Sequence, residues 1–436
     1  MTFFRTYSVE LSIAILALGV HLLCFAFILH AHNGQMIEAV RGDDGYFELA
    51  QNVLAGNGFS WSSSPPYAPN PLRTPGYIYV LAGLIAVTGS VVGAACIQLL
   101  AASALPVFGM WIAQRITRSA QAGILTGIIL ALDPTLALLS FQFFTETLFL
   151  LLFFPCLLLM CSYLENRNIR TLLLSALLLG CAILTKTSAQ YVPLLFVPFI
   201  FWSLGASSWR RGLLHTSLYL LVIGAVLTPW IIRNTIVFGE PGLSAQAPFV
   251  LYTNLAPAVL SVAEGTPFAD EVRTFLTPAE FKGDAITLQN GDAYTKRAIE
   301  IISTHPFETG YVATRSLFTF FTNDGLYTVL TRGGYTASDF LPLLVGARLV
   351  WIAITCAALV GGMVYVFRER TPLAILMILL VAYFALTSTV AAFGTNPRYR
   401  LPVDPTILAF AIMGMLYVRE YIKNFRYKDT SRQSIS

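Results

Sequence analysis

Ten apolar runs, each long enough to cross a bilayer, recur along the chain at about 9–29, 92–113, 120–140, 147–164, 171–187, 190–206, 213–232, 342–366, 372–393 and 401–419. About 20 consecutive apolar residues span the hydrocarbon core. Backbone polar groups have no water there to bond, so segments of this kind must be helices that satisfy themselves. With 56% hydrophobic and 11% charged residues in 436, and a mean hydropathy of +0.69, the chain carries more apolar surface than a soluble core can bury. The fold class is all-α and polytopic, with about ten transmembrane helices.

Residues 77–88 are apolar but too short to cross comfortably, and read as interfacial or re-entrant. The charges fix that choice. With the N-terminus in the cytoplasm and 77–88 left uncounted, Arg115 and Arg118, Arg167 and Arg170, Arg210 and Arg211, Arg368 and Arg370, and the tail from Arg419 to Lys428 all fall inside. That is the positive-inside pattern in every short cytoplasmic loop. The run 9–29 is then a retained anchor, not a cleaved signal peptide. Two outer loops are long, about 30–75 and 233–340. The chain divides into an N-terminal transmembrane module (1–232), an outer subdomain (233–340) and a C-terminal transmembrane module with a basic tail (341–436).

The formal charge of +4 is small and forms no nucleic-acid patch. All six cysteines lie within apolar runs and read as small buried hydrophobes. His30 and His32 stand two apart and do not share a helix face, so they are boundary residues, not a metal pair. No phosphate-binding glycine loop, dinucleotide fingerprint, CxxC or HExxH occurs.

The chemistry-bearing residues gather at the outer end. RGDDGYFELAQNVLAGNGFS places Asp43 and Asp44 before a short amphipathic, interfacial helix over about 45–55 that lies on the outer membrane surface, with Phe47, Ala50 and Leu54 on one face and Gly56 as its stop. One aspartate suffices to cap a helix; the second has no structural job. Arg73 is the one cation in PNPLRTPGYIYVL, where it anchors lipid phosphate or takes part in the site. Asp133-Pro134 reads as N-cap and first turn of a helix restarted within the third span. Glu146 opens the fourth span, Lys186 closes the fifth, and Arg398 and Arg400 flank a tyrosine at the mouth between the last two. Paired arginines suit an anionic group. A carboxylate to accept a proton and cations to stabilise a leaving phosphate are what glycosyl transfer from a lipid-phosphate sugar requires. A transporter for a lipid-linked anion is the alternative, but transporters place charge near the midplane within repeated halves.

DDGYFELAQNVLAGNGFS, PNPLRTPGYIYVLAG, TETLFLLLF, LLLGCAILTKTSA, PWIIRNTIVFG and NPRYRLPVDP, in that order over about 9–410, resemble the polyprenyl-phosphate-sugar glycosyltransferases of the C superfamily. Bacterial members of the protein-mannosyltransferase-like group are nearest, with aminoarabinose and arabinosyltransferases as cousins, and the resemblance implies a bacterial cytoplasmic (inner) membrane. The resemblance implies an inverting, single-displacement reaction on the outer leaflet. The donor is a sugar on polyprenyl phosphate, and the acceptor a hydroxyl of a glycan, lipid or protein. It makes Asp43 the base and Asp44 the supporting acid. Glu146 takes the second-loop acidic position, where several relatives carry Asp. Lys186, Arg398 and Arg400 stand where basic residues meet the donor phosphate. Some members use a divalent cation and others none, so no cofactor is assigned. NPLRTPGY replaces the EKPP-like stretch of aminoarabinose transferases, which argues against the lipid A modifying branch.

Overall fold

The computed structural model describes residues 8–205, 208–276, 285–369 and 372–433, and side chains within these except 368–369 and 420–433. Arg368, Arg370 and most of the basic tail therefore lie outside the described side chains. Among the described residues every regular element is helical, and seven helices have the length and apolarity to span a membrane: Ser8–Ala31, Val91–Thr117, Glu146–Asn166, Thr187–Leu204, Trp209–Phe238, Ala337–Phe367 and Pro372–Gly394. The protein is a polytopic integral membrane protein.

Three of the ten expected spans form helices outside those seven, and each has a local reason. The run 120–140 breaks into Ala120–Ala131 and Pro134–Leu139. As the sequence predicts, Asp133 caps the second piece, accepting the Leu136 N–H at 2.7 Å, and Pro134 opens it. The run 171–187 yields Ile169–Thr185, 17 residues, because Lys186 turns extended. At 1.5 Å per residue that is about 26 Å, slightly short of the hydrocarbon core. The last helix, Asp404–Gln433, begins only after two tight turns over 397–403. It lies against Leu341–Glu369 through glycines: a methyl at Gly361 would overlap the Phe410 carbonyl, and one at Gly414 the Ala357 carbonyl. Small residues permit such backbone contact, and packing of this kind drives helix association in lipid.

The Pro75–Thr88 helix has 14 residues, about 21 Å of rise. Its start packs at the end of Ile169–Thr185, where a β-carbon on Gly76 would meet the Leu184 carbonyl and Thr185. The short helix expected over 45–55 is Tyr46–Leu54, with Gly56 (φ 77°) just beyond it. Its apolar face does not simply lie on a membrane surface. Tyr46, Phe47, Leu49 and Ala50 are buried in the main core, with Phe47 stacked on Phe143 at 5.8 Å, while Leu54 stays exposed. A second core, built around Tyr252, Val259, Phe275, Tyr294 and Ile301, holds together the helices that follow Phe238. One of them is Gly291–Thr304.

Candidate active site

The two adjacent aspartates are turned apart by the glycines around them. Gly42 (φ 66°) and Gly45 (φ 76°) both take the left-handed conformation that costs a side chain. Each is also crowded: a β-carbon on Gly42 would stand 3.3 Å from the Phe143 carbonyl and the Phe144 ring, and one on Gly45 3.0 Å from Trp61. Gly45 is the N-cap of Tyr46–Leu54, and no side chain caps that helix. Neither aspartate therefore does the capping job that was its simplest structural reading.

Asp44 faces a cavity of ≈ 390 Å³ lined also by Arg73, Glu146, Lys186 and Arg398. Five segments far apart in the chain thus bring three cations and two carboxylates to one chamber. Arg398 Nη1 donates to Asp44 Oδ2 at 2.9 Å, and its Nε lies 3.8 Å from Glu146 Oε1. Lys186 Nζ donates to Glu146 Oε1 at 2.7 Å. Arg73 Nη2 donates to the Asp44 carbonyl oxygen at 2.9 Å and lies 3.6 Å from its carboxylate, while Nη1 donates to Gln246 Oε1 at 3.3 Å. The Arg73 guanidinium also rests 4.9 Å from the Tyr46 ring centre. Partial burial works against the charge on Asp44, but Arg398 and Arg73 outweigh it and hold its carboxyl below the usual range. The remaining wall is mostly apolar and includes Tyr383, Phe384, Pro248 and Leu251, with threonine and serine hydroxyls from Thr145, Thr187 and Ser188 among them.

Two expected site residues lie outside this chamber. Asp43 points away, 68% exposed at its side chain, with Oδ2 accepting from Arg332 Nη2 at 2.7 Å. Arg400 corrects the expectation of a paired arginine clamp. It is fully buried, its Nε donating to Asp404 Oδ1 at 2.6 Å and its Nη1 to the Phe320 carbonyl at 2.9 Å. Its guanidinium sits 3.6 Å from the Trp351 ring centre. It ties the last helix to the bundle and does not reach the chamber. Sequence reasoning missed Arg332, Gln246 and Tyr399, the last of which lies under both Lys186 and Arg398.

Residues 71–233, less than half of the chain, match the sequence profile of the family described as dolichyl-phosphate-mannose-protein mannosyltransferase. Over that stretch the chain is similar to this family. Three of the chamber's charged residues, Arg73, Glu146 and Lys186, fall inside the matched segment. No curated protein matches the sequence. A solved structure described as the archaeal oligosaccharyltransferase AglB from Archaeoglobus fulgidus, in complex with an inhibitory peptide and a dolichol-phosphate, is similar in fold. The TM-score is 0.50 at 10% identity, over 98% of this chain and 52% of that one. The chain spans about half the length of that protein, and the likeness is one of fold.

The chamber's donor set does not fit a divalent cation. Among the described residues no three His, Cys, Asp or Glu side chains gather in a way that could hold one. Asp44 and Glu146 are already paired with Arg398, Lys186 and Arg73, and an added cation would meet three like charges.

Proposed function

We propose that the protein is an inverting glycosyltransferase that moves a sugar from a polyprenyl-phosphate donor to a hydroxyl acceptor on the outer face of the membrane. The observation that carries this reading is the charged chamber: three cations against two carboxylates leave one net positive charge at the donor's single phosphodiester charge. Arg398, Lys186 and Arg73 would bind the phosphate, with Asp44 and Glu146 fixing their geometry. The apolar wall suits the first carbons of the lipid. The long segment after Phe238 contributes Gln246, Pro248, Leu251 and Thr295 to the chamber, which supports treating 233–340 as an outer subdomain that closes over the donor.

In the reaction, the acceptor oxygen attacks the anomeric carbon, the bond from that carbon to the phosphate oxygen breaks, and its electron pair leaves with polyprenyl phosphate. The acceptor's proton goes to a carboxylate. Asp44 suits this badly, because Arg398 and Arg73 favour its charged form. Asp43 has one ion-pair partner and an exposed side chain, so it is the carboxylate open to an acceptor that approaches from outside the chamber. A carboxylate is a weak base, so the proton moves late, as the attacking oxygen becomes acidic.

The test uses purified, reconstituted protein with dolichyl-phosphate mannose as donor and measures release of dolichyl phosphate. Asp43→Asn should abolish release while keeping donor binding and thermal stability. Full activity in that variant removes Asp43 from the base role, and loss only in Asp44→Asn moves the role to its neighbour. Movement of the donor across the bilayer without release by the wild type would make the protein a transporter.

A further inference from the structure

Arg332 lies 289 positions from Asp43 in sequence, yet it makes the one ion pair Asp43 has among the described residues. We propose that Arg332 is a positioning residue that fixes the orientation of the Asp43 carboxylate, an inference that rests on Asp43 being the proton acceptor. Arg332 is the last residue of the short helix Leu326–Arg332, and that helix is pinned at both ends. At its start, Asp324 Oδ1 accepts the Leu326 N–H at 2.8 Å. Gly325 (φ 85°) sits so close to Thr135 and Pro397 that a β-carbon would overlap the Thr135 hydroxyl. At its end, a β-carbon on Gly333 would overlap the Phe27 ring. Val329, midway, is buried in the main core. The arm is thus seated on the first span, on the restarted third span and on the turn that carries Arg398.

What the rigid arm delivers is a half-exposed ion pair, with side-chain exposures of 28% for Arg332 and 68% for Asp43. Pairs of that kind contribute little to stability, so fold stability does not account for the arm. Geometry does. The guanidinium lies 5.7 Å from the centre of the Phe144 ring, the same ring that supports Arg398 at 5.6 Å. One aromatic side chain therefore sets the spacing between the arginine of the proposed donor site and the arginine on the proposed base. Arg332 binds Oδ2 and leaves Oδ1 without a protein hydrogen bond among the described residues. The oxygen that would take the proton is thereby defined.

The experiment compares wild type, Arg332→Gln, Arg332→Lys and Gly333→Ala in reconstituted vesicles. Dolichyl-phosphate mannose is the donor, octyl mannoside the hydroxyl probe, and donor affinity and melting temperature are measured separately. Arg332→Gln should lower kcat by roughly 10- to 100-fold, the scale of misplacing a catalytic group by about 1 Å. KM for octyl mannoside, donor affinity and melting temperature should stay near wild type. Arg332→Lys, which keeps one charged donor, should recover part of the loss. Gly333→Ala, which displaces the arm without changing charge, should reproduce the kcat loss. A raised KM with unchanged kcat would make Arg332 a substrate contact and overturn the proposal, as would unchanged kinetics. Absence of dolichyl phosphate release by the wild type would overturn the functional reading itself, and this inference with it.

Discussion

Arg398 and Arg400 stand two residues apart, and replacing each by glutamine should break different things. Arg400 is fully buried and holds the buried Asp404 at 2.6 Å. Removing it strands a carboxylate in the bundle, and breaking a buried pair in this way costs about 3–5 kcal/mol. At 1.4 kcal/mol per decade, the folded population relative to the unfolded falls by roughly 10²- to 10³-fold or more, a large share of the 5–15 kcal/mol typical of folded proteins. Arg400→Gln should therefore appear as low yield and a lowered melting temperature in detergent, with activity lost in proportion to folded protein. The double variant Arg400→Met, Asp404→Asn removes both charges and should recover most of that stability. Arg398 is one-quarter exposed and faces the chamber. On the proposed role, its neutralisation removes a charge-assisted bond to the donor phosphate and should cost about 1.5–3 kcal/mol, or roughly tenfold to over a hundredfold in kcat/KM, at near-normal expression. An Arg400→Gln protein that melts like wild type and selectively loses donor use would refute this division.

Two further outcomes test the site and the topology. Asp44 has its folded pKa depressed, so its pairing contributes stability that is fully present above the unfolded value of about 3.9 and is lost as pH falls through the lower folded value. The gap in melting temperature between wild type and Asp44→Asn should stay constant across neutral and mildly acidic pH; closure by about pH 5 would show that the carboxyl is not held down. On a cysteine-free background, single cysteines at Asn57 and Gln289 should react with an impermeant thiol reagent in spheroplasts, and those at Asn168 and Arg210 should not. Labelling at Asn168 from outside would break the charge map and the outward placement of the chamber.

The parts of this fold that the sequence announces are those set locally. Apolar length marks the spans, Asp133-Pro134 marks the break in the third, and Gly56 marks the end of Tyr46–Leu54. The candidate residues Asp44, Arg73, Glu146, Lys186 and Arg398 were visible because charge at the end of an apolar run is rare and has few bland explanations. What could not be read is direction. Arg398 and Arg400 look like one clamp in NPRYR, but Pro397–Tyr399 is a 3₁₀ turn. With about three residues per turn, positions two apart diverge by about 240°. One arginine enters the chamber and the other the bundle. The same holds for Asp43 and Asp44, separated by the conformations of Gly42 and Gly45. Arg332 carries no local signal at all, because its role is defined only by a partner 289 residues away.

The division between the two aspartates also bears on how the reaction ends. In the proposed reaction, the chamber's one net positive charge would balance the donor's phosphodiester before transfer. Transfer turns that phosphodiester into a phosphate monoester able to carry a second negative charge. If Asp44 took the acceptor's proton, the chamber would rise to two net positive charges and match the product it needs to release. It would also have to give up its bond to Arg398 at 2.9 Å in a partly buried setting. If Asp43 takes the proton, the chamber keeps its single positive charge and the product carries one negative charge too many. The neutralised Asp43 frees Arg332, not Arg398. On this reading, placing the base one residue away from the phosphate cluster avoids the second positive charge that protonating Asp44 would leave around the departing dianion.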